Sequence, residues 1–294
     1  MPPSLDAVSA VPVTPFSADG ALDEDALGRV VRRLVDQGVP VIVPCGGTGE
    51  FSQLAPAERE RVARVAIEAG AGATVLVGVG GDLAGAVQAT AAAVAAGAAG
   101  VMVHALSDPY LTPAGIVAYV EAIAAAADGC VVPYVRGRAP AASALARICA
   151  LEQVVAVKWA IADLQGFAEF ATRHGDEVAP VCGLAESWAP YFALAGGRGF
   201  TSGLANLDAR VPLALHAALA AGDYPTAMRR WREALPFEQL RARHDAGNNV
   251  PAVKEAMAIA GLLPSATVRA PLAPLSAGDR AELEAIVRTL APRP

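Results

Sequence analysis

Lysine is nearly absent from this chain: two occur among 294 residues, beside 21 arginines. A compositional bias toward arginine explains scarcity in general. It does not explain a lysine at the end of an apolar β run, Val154-Val155-Ala156-Val157-Lys158-Trp159. Other shortages exclude whole classes of function. Excess positive charge is missing: the net charge is −6, which argues against nucleic acid or an anionic membrane surface as partner. Metal-ligand spacing is missing among Cys45, Cys130, Cys149 and Cys182, and no His/Asp/Glu cluster supplies it. The four cysteines are expected as buried free thiols in a reducing cytoplasm. No long apolar run lacks polar interruption, since the Ala-rich stretch near 84–100 carries Gln88 and glycines after Asp82; it reads as a soluble helix rather than a transmembrane span. The opening residues Met1 to Asp6 show no basic region followed by an apolar one, so no signal peptide is expected. No G-x-G-x-x-G turn opens a helix after the first strand, so a dinucleotide-binding sheet loses ground.

What is present is rhythm. Strands are expected at Ala10–Phe16, Val39–Pro44, Thr74–Val79, Gly100–Leu106, Cys130–Val135, Val154–Lys158, Val178–Gly183 and Gly199–Gly203. Between them lie helix-period stretches such as Asp23–Gln37, Ala55–Ala69, Ala84–Ala96, Pro113–Ala127 and Glu186–Ala195. Gly38, Gly70, Gly97 and Gly129 stand where left-handed residues close helices. Eight such β units with intervening helices predict an α/β fold, a (β/α)8 TIM barrel over residues 1–222. Residues 223–294 read as a helical appendage, with helices at Pro225–Ala242, Val250–Gly261 and Ala277–Leu290.

In such a barrel the reactive groups come from the C-terminal ends of strands. There a buried ammonium costs desolvation, and burial lowers its pKa toward the neutral amine that attacks carbonyls. Lys158 is the candidate Schiff-base nucleophile. Lys254, on an amphipathic helix beside Glu255, reads as structural. After the second strand, Gly46-Gly47-Thr48-Gly49-Glu50 leaves backbone N–H groups bare, a nest for a carboxylate to which Thr48 adds a hydroxyl. A plain tight turn fits the same residues equally well. Glu50 reads as an acid, a base or a helix start. Tyr134 ends the fifth strand and suits proton exchange with an amine. Tyr110 follows the fourth strand. Arg136 and Arg138 offer a carboxylate clamp. Ser202 and Asn206, after the eighth strand, are placed to meet the distal part of a substrate. His104 reads as a barrel-interior residue, and His174, His216 and His244 as surface or appendage residues.

Taken together, Gly46 to Glu50, Pro109-Tyr110, Tyr134 and Lys158 resemble the dihydrodipicolinate synthase / N-acetylneuraminate lyase superfamily of class I aldolases. Val11-Pro-Val-Thr-Pro-Phe16, Ala195-Gly-Gly-Arg-Gly199 and Pro251-Ala-Val-Lys-Glu-Ala256 extend the resemblance over residues 8 to about 275. It implies a barrel with three C-terminal helices and an imine through Lys158 with no other cofactor. It also implies a small 2-keto acid as substrate, a carboxylate site at Gly47–Thr48, and Tyr134 as shuttle with Tyr110 as a second relay tyrosine. Such proteins are commonly homo-oligomers, dimers or tetramers. Gly-Gly-Thr-Gly-Glu-Phe, Tyr110-Leu-Thr, Tyr134-Val-Arg136 and Leu240-Arg-Ala-Arg243 are most similar to the 5-dehydro-4-deoxyglucarate dehydratase branch, which dehydrates and decarboxylates a sugar diacid. Pyruvate-dependent aldolases or synthases are the alternative, and a barrel that binds a keto acid without turnover is a third reading. Three positions depart from the family: Gly47 replaces a hydroxyl residue, and Val135 and Trp159 predict a more apolar, reshaped rim.

Overall fold

Aspartate or threonine just before an apolar helical stretch sets where several helices begin. The side chains of Asp23, Asp82, Thr112, Asp163 and Asp223 each accept the amide three residues on, satisfying a donor the helix itself cannot pair. The computed structural model describes residues 4–290; Met1 to Pro3 and the last residues of the appendage lie outside them. The strands are β1 (Val8–Ala10), β2 (Val41–Ile42), β3 (Thr74–Val79), β4 (Gly100–Val103), β5 (Cys130–Arg136), β6 (Ala156–Ala160), β7 (Ala179–Cys182) and β8 (Gly199–Ser202). They pair in parallel, in chain order, and β8 closes on β1. The helices of the barrel are α1 (Glu24–Asp36), α2 (Pro56–Ala69), α3 (Leu83–Ala95), α4 (Pro113–Ala126), α5 (Ala142–Cys149), α6 (Leu164–His174), α7 (Ala185–Leu194) and α8 (Arg210–Ala220). After them come α9 (Tyr224–Ala246), α10 (Asn249–Ile259) and α11 (Ala277–Leu290). The (β/α)8 barrel is therefore as expected.

The first two strands are shorter than their apolar runs. Pro12 and Pro15 cannot donate to a ladder, so the chain leaves β1 soon after Ala10, and the Val13 amide is taken up by the Asn206 side chain instead. Pro40 and Pro44 bracket β2 in the same way. Two glycine expectations need correcting. Gly38 and Gly97 do have φ of 84° and 99°, but Gly70 closes its helix at φ −86° and Gly129 is not left-handed either. Their missing side chains serve close approach: a Cβ at Gly70 would stand 2.6 Å from the Ala66 carbonyl, and one at Gly129 the same distance from that of Ala99.

Alternation along the strands divides two cores. Val11, Val41, Leu76, Met102, Val132, Ala156 and Val181 fill the barrel. Val101, Val131, Val157, Trp159 and Phe200 face outward, into the layer between strands and helices with Phe167 and Phe192. The appendage closes the side of the molecule: α10 and α11 bring Val253, Met257, Leu283 and Ile286 against Leu27, Val30 and Leu34 of α1 in one apolar cluster. Helix α9 breaks at Arg243, where ψ is 155°, just after the expected end at Ala242. All four cysteines are free and buried; Cys149 lies on α5 and Cys45 in the loop after β2. Among the described residues no helix is long and apolar enough to cross a membrane, and no cluster of His, Cys, Asp and Glu is placed to hold a metal ion.

Candidate active site

Strand register carries the centre of the site. Tyr134 of β5 and Lys158 of β6 are direct partners in the ladder, and Lys158 pairs in turn with Val181 of β7. Lys158 shares its face with Ala156 and so points into the barrel. Its Nζ lies 3.8 Å from Met102 Sδ and 4.2 Å from the centre of the Tyr134 ring. No carboxylate pairs with it among the described residues. Desolvation, helped by the nearby Arg136 guanidinium, lowers the Lys158 pKa to about 8. The neutral amine is therefore about a tenth of the population at pH 7, far more than for an ordinary lysine. Burial moves the Tyr134 phenol the other way, above its ordinary value, with Arg136 opposing. Gly183, one step beyond β7, makes room: a Cβ there would meet Lys158 Cγ at 3.1 Å. A buried amine with a lowered pKa thus lies over the face of a buried phenol ring.

The loop after β2 folds on itself. The amides of Gly49 and Phe51 bond the Gly46 carbonyl and that of Glu50 bonds Gly47, while no acceptor among the described residues takes the amides of Gly47 or Thr48. Thr14 fixes the loop from outside through a 2.6 Å bond to the Gly49 carbonyl. The two free donors sit where a carboxylate cradle was expected; Thr48 is buried and Gly47 exposed. Glu50 is neither a free acid or base nor the start of an α-helix. It is fully buried, adopts φ 60°, and pairs with Lys254 of α10. Lys254 is thus structural, but its partner is Glu50 rather than Glu255; its Nζ also donates to the Thr267 carbonyl at 2.7 Å.

Several other candidates lie apart from Lys158, but Arg136 does not: its charge acts on Lys158, and it lines one cleft with Tyr134 and His104. Tyr110 is 88% exposed. Arg136 and Arg138 are exposed at the end of β5, lining a cleft with Leu106, Leu111 and Leu145 between α4 and α5. Ser202 has the parity of outward-facing Phe200; it bonds the buried Glu186 carboxyl and receives the Ala205 amide at 2.9 Å. Thr201, one residue earlier, has the inward parity, a signal legible from the alternation with Phe200. Asn206 is occupied by backbone, accepting from Val13 and donating to Val11 and Gly203. Val135 and Trp159 also face outward. Trp159 is buried against Phe170, with ring centres 5.6 Å apart, so the indole does not form the rim, whereas Val135 lines the cleft with Arg136. His104 follows β4 on the inward face, beside Tyr134, the barrel-interior position expected of it.

Comparisons with known proteins identify the family. The model of the dihydrodipicolinate synthetase family matches residues 4–290. A probable 5-dehydro-4-deoxyglucarate dehydratase of Saccharopolyspora erythraea is 34% identical over 291 residues, covering 95% of this chain and 92% of that one. A 4-hydroxy-tetrahydrodipicolinate synthase of Methanosarcina mazei is 32% identical over 286 residues, covering 95% and 96%. The crystal structure of dihydrodipicolinate synthase from Oceanobacillus iheyensis superposes with a TM-score of 0.93 at 36% identity, over 97% of this chain and 96% of that one. The resemblance spans barrel and appendage together, and the protein is a lyase of the dihydrodipicolinate synthetase family.

Proposed function

We propose that Lys158 forms an imine with a 2-keto acid, needing no other cofactor, and that the substrate is a sugar diacid of the 5-dehydro-4-deoxyglucarate type. The observation that carries the reading is the unpaired, buried Lys158 amine against the Tyr134 ring. The amine attacks the keto carbon, the carbinolamine loses water, and the resulting iminium withdraws electrons from the adjacent carbon. Loss of a proton there expels a neighbouring hydroxyl as water, and Tyr134 shuttles the protons. The free amides of Gly47 and Thr48 receive the carboxylate next to the keto group, and Arg136 serves the other end.

Two observations favour the diacid over pyruvate condensation. Gly47 has no hydroxyl and Tyr110 is exposed, so a relay of hydroxyls running through the second-strand loop cannot be assembled within one protomer. Trp159, which argued for a less polar substrate, lies outside the barrel. Exposed Tyr110 and Leu111 next to the mouth support a homo-oligomer, dimer or tetramer, whose mass sedimentation equilibrium reads directly. Chemistry of this kind suits a cytoplasmic enzyme.

The decisive experiment incubates the protein separately with 5-dehydro-4-deoxyglucarate and with pyruvate, reduces with borohydride, and maps the adduct by peptide mass spectrometry. The expected result is reduction onto Lys158 with both, and carbon dioxide release with the diacid alone. Turnover of pyruvate with an aldehyde, and none of the diacid, would transfer the reading to the aldolase or synthase branch. No adduct with any 2-keto acid would remove the imine mechanism altogether.

A further inference from the structure

Two glycines, Gly78 of β3 and Gly80 just beyond it, leave room around one histidine. A Cβ at Gly78 would overlap the Cys45 carbonyl and come within 3.1 Å of His104 Nε2; one at Gly80 would lie 2.9 Å from His104 Cβ. The space is used to fix the imidazole on three sides. Nε2 lies 2.8 Å from the Cys45 carbonyl oxygen. A carbonyl only accepts, so Nε2 carries the hydrogen and Nδ1 is left as a lone pair. The ring stacks on Phe51 with centres 4.0 Å apart, and Arg59 covers the other face of Phe51 at 3.9 Å. The Tyr134 ring lies edge-on beside it, with centres 6.2 Å apart and an inclination of 64°. Burial first, then the charges of Lys158, Arg59 and Arg136, push the His104 pKa down to about 4 against the pull of the Cys45 carbonyl. With Nε2 donating to the Cys45 carbonyl, the imidazole is held neutral mainly by burial.

We infer that His104 is the proton acceptor behind Tyr134 in the imine–enamine step, a positioning residue that replaces the relay partner missing at Gly47 and Tyr110. This rests on the proposed imine at Lys158. In the step, the carbon next to the iminium carbon loses a proton to the Tyr134 oxygen while the phenol's own proton passes to His104 Nδ1. The C–H electron pair becomes the C=C bond, the iminium π pair returns to nitrogen, and the positive charge moves from iminium to imidazolium. Reprotonation of the enamine carbon runs the same transfers backward.

Pyruvate in deuterium oxide isolates this step, because its methyl hydrogens exchange only through the enamine. Two variants are compared with the wild type: His104→Phe, which keeps a ring in the stack, and His104→Ala, which opens space for imidazole from solution. Both are expected to be trapped by borohydride on Lys158 within about threefold of wild type. Methyl exchange followed by NMR should fall about 100-fold, the usual size of a lost acid–base partner. Added imidazole should restore much of the rate in His104→Ala, which a packing defect would not allow. Exchange within about threefold of wild type in His104→Phe overturns the inference while leaving the imine intact. A wild type that traps no 2-keto acid overturns the imine first, and the inference with it.

Discussion

Replacing Lys254 by methionine tests how the appendage supports the site. Lys254 is one of two lysines, fully buried on α10, and its ammonium touches Glu50, the Thr267 carbonyl and the Phe16 ring, 4.1 Å from the ring centre. Methionine keeps the volume and removes the charge. Glu50 then retains only the Arg269 amide at 3.1 Å, and its other oxygen faces apolar surroundings. Breaking a buried pair from one side costs about 3–5 kcal/mol, because a charge stays behind without its partner. Against a stability of about 5–15 kcal/mol that is a large share of the margin. Glu50→Gln combined with Lys254→Met should recover most of the loss, since the double variant strands no charge. Equilibrium urea unfolding of wild type, the two single variants and the double variant completes the cycle. The site should respond as well, for Glu50 follows Thr48 by two residues: KM for the 2-keto acid should rise several-fold in Lys254→Met while trapping at saturation is little changed. A loss below about 1 kcal/mol, or a double variant no better than the worse single one, refutes this account of the pair.

Two further outcomes follow from the same geometry. Lys158 reacts as the neutral amine and its pKa is lowered to about 8, so trapping at saturating keto acid should climb about tenfold per pH unit below that value and level off above it; a rate still climbing at the ordinary lysine pKa would show that the amine is not desolvated. Trp159→Ala should cost about 3–5 kcal/mol by opening a cavity against Phe167 and Phe170, measured by urea unfolding, with KM unchanged; a changed KM and intact stability would put the indole back in the pocket.

The barrel was legible because its signals are local. An apolar run of strand length, an aspartate cap and a glycine stop are each written within a few residues, and the eight-fold alternation follows from them. Lys158 stood out for the same reason: a lysine inside an apolar strand has few explanations, and the structure buries it against the Tyr134 ring. Facing was harder. Val135 and Trp159 are adjacent in sequence to Tyr134 and Lys158, yet a period of two puts each on the opposite side of the sheet. Ser202 failed for this reason too, and Thr201 takes its place on the inner face. The short strands β1 and β2 were overextended because hydrophobicity continues past the prolines that end hydrogen bonding.

What no local signal carries is the partner of a buried charge. Glu50 and Lys254 are 204 residues apart in number and meet only when α10 docks beside the second-strand loop. The contrast with Lys158 is chemical as well as spatial. Both lysines are buried, and both are held at about 8, below the ordinary lysine pKa. Lys254 is committed to a carboxylate and a carbonyl, so its protons are engaged and its nitrogen is shielded. Lys158 meets a thioether and the face of a phenol ring, neither of which holds a proton firmly in place. Desolvation alone therefore does not make a lysine nucleophilic. A carboxylate partner distinguishes the two lysines, and in this fold one long-range contact separates Lys254, which holds the loop, from Lys158, the proposed nucleophile.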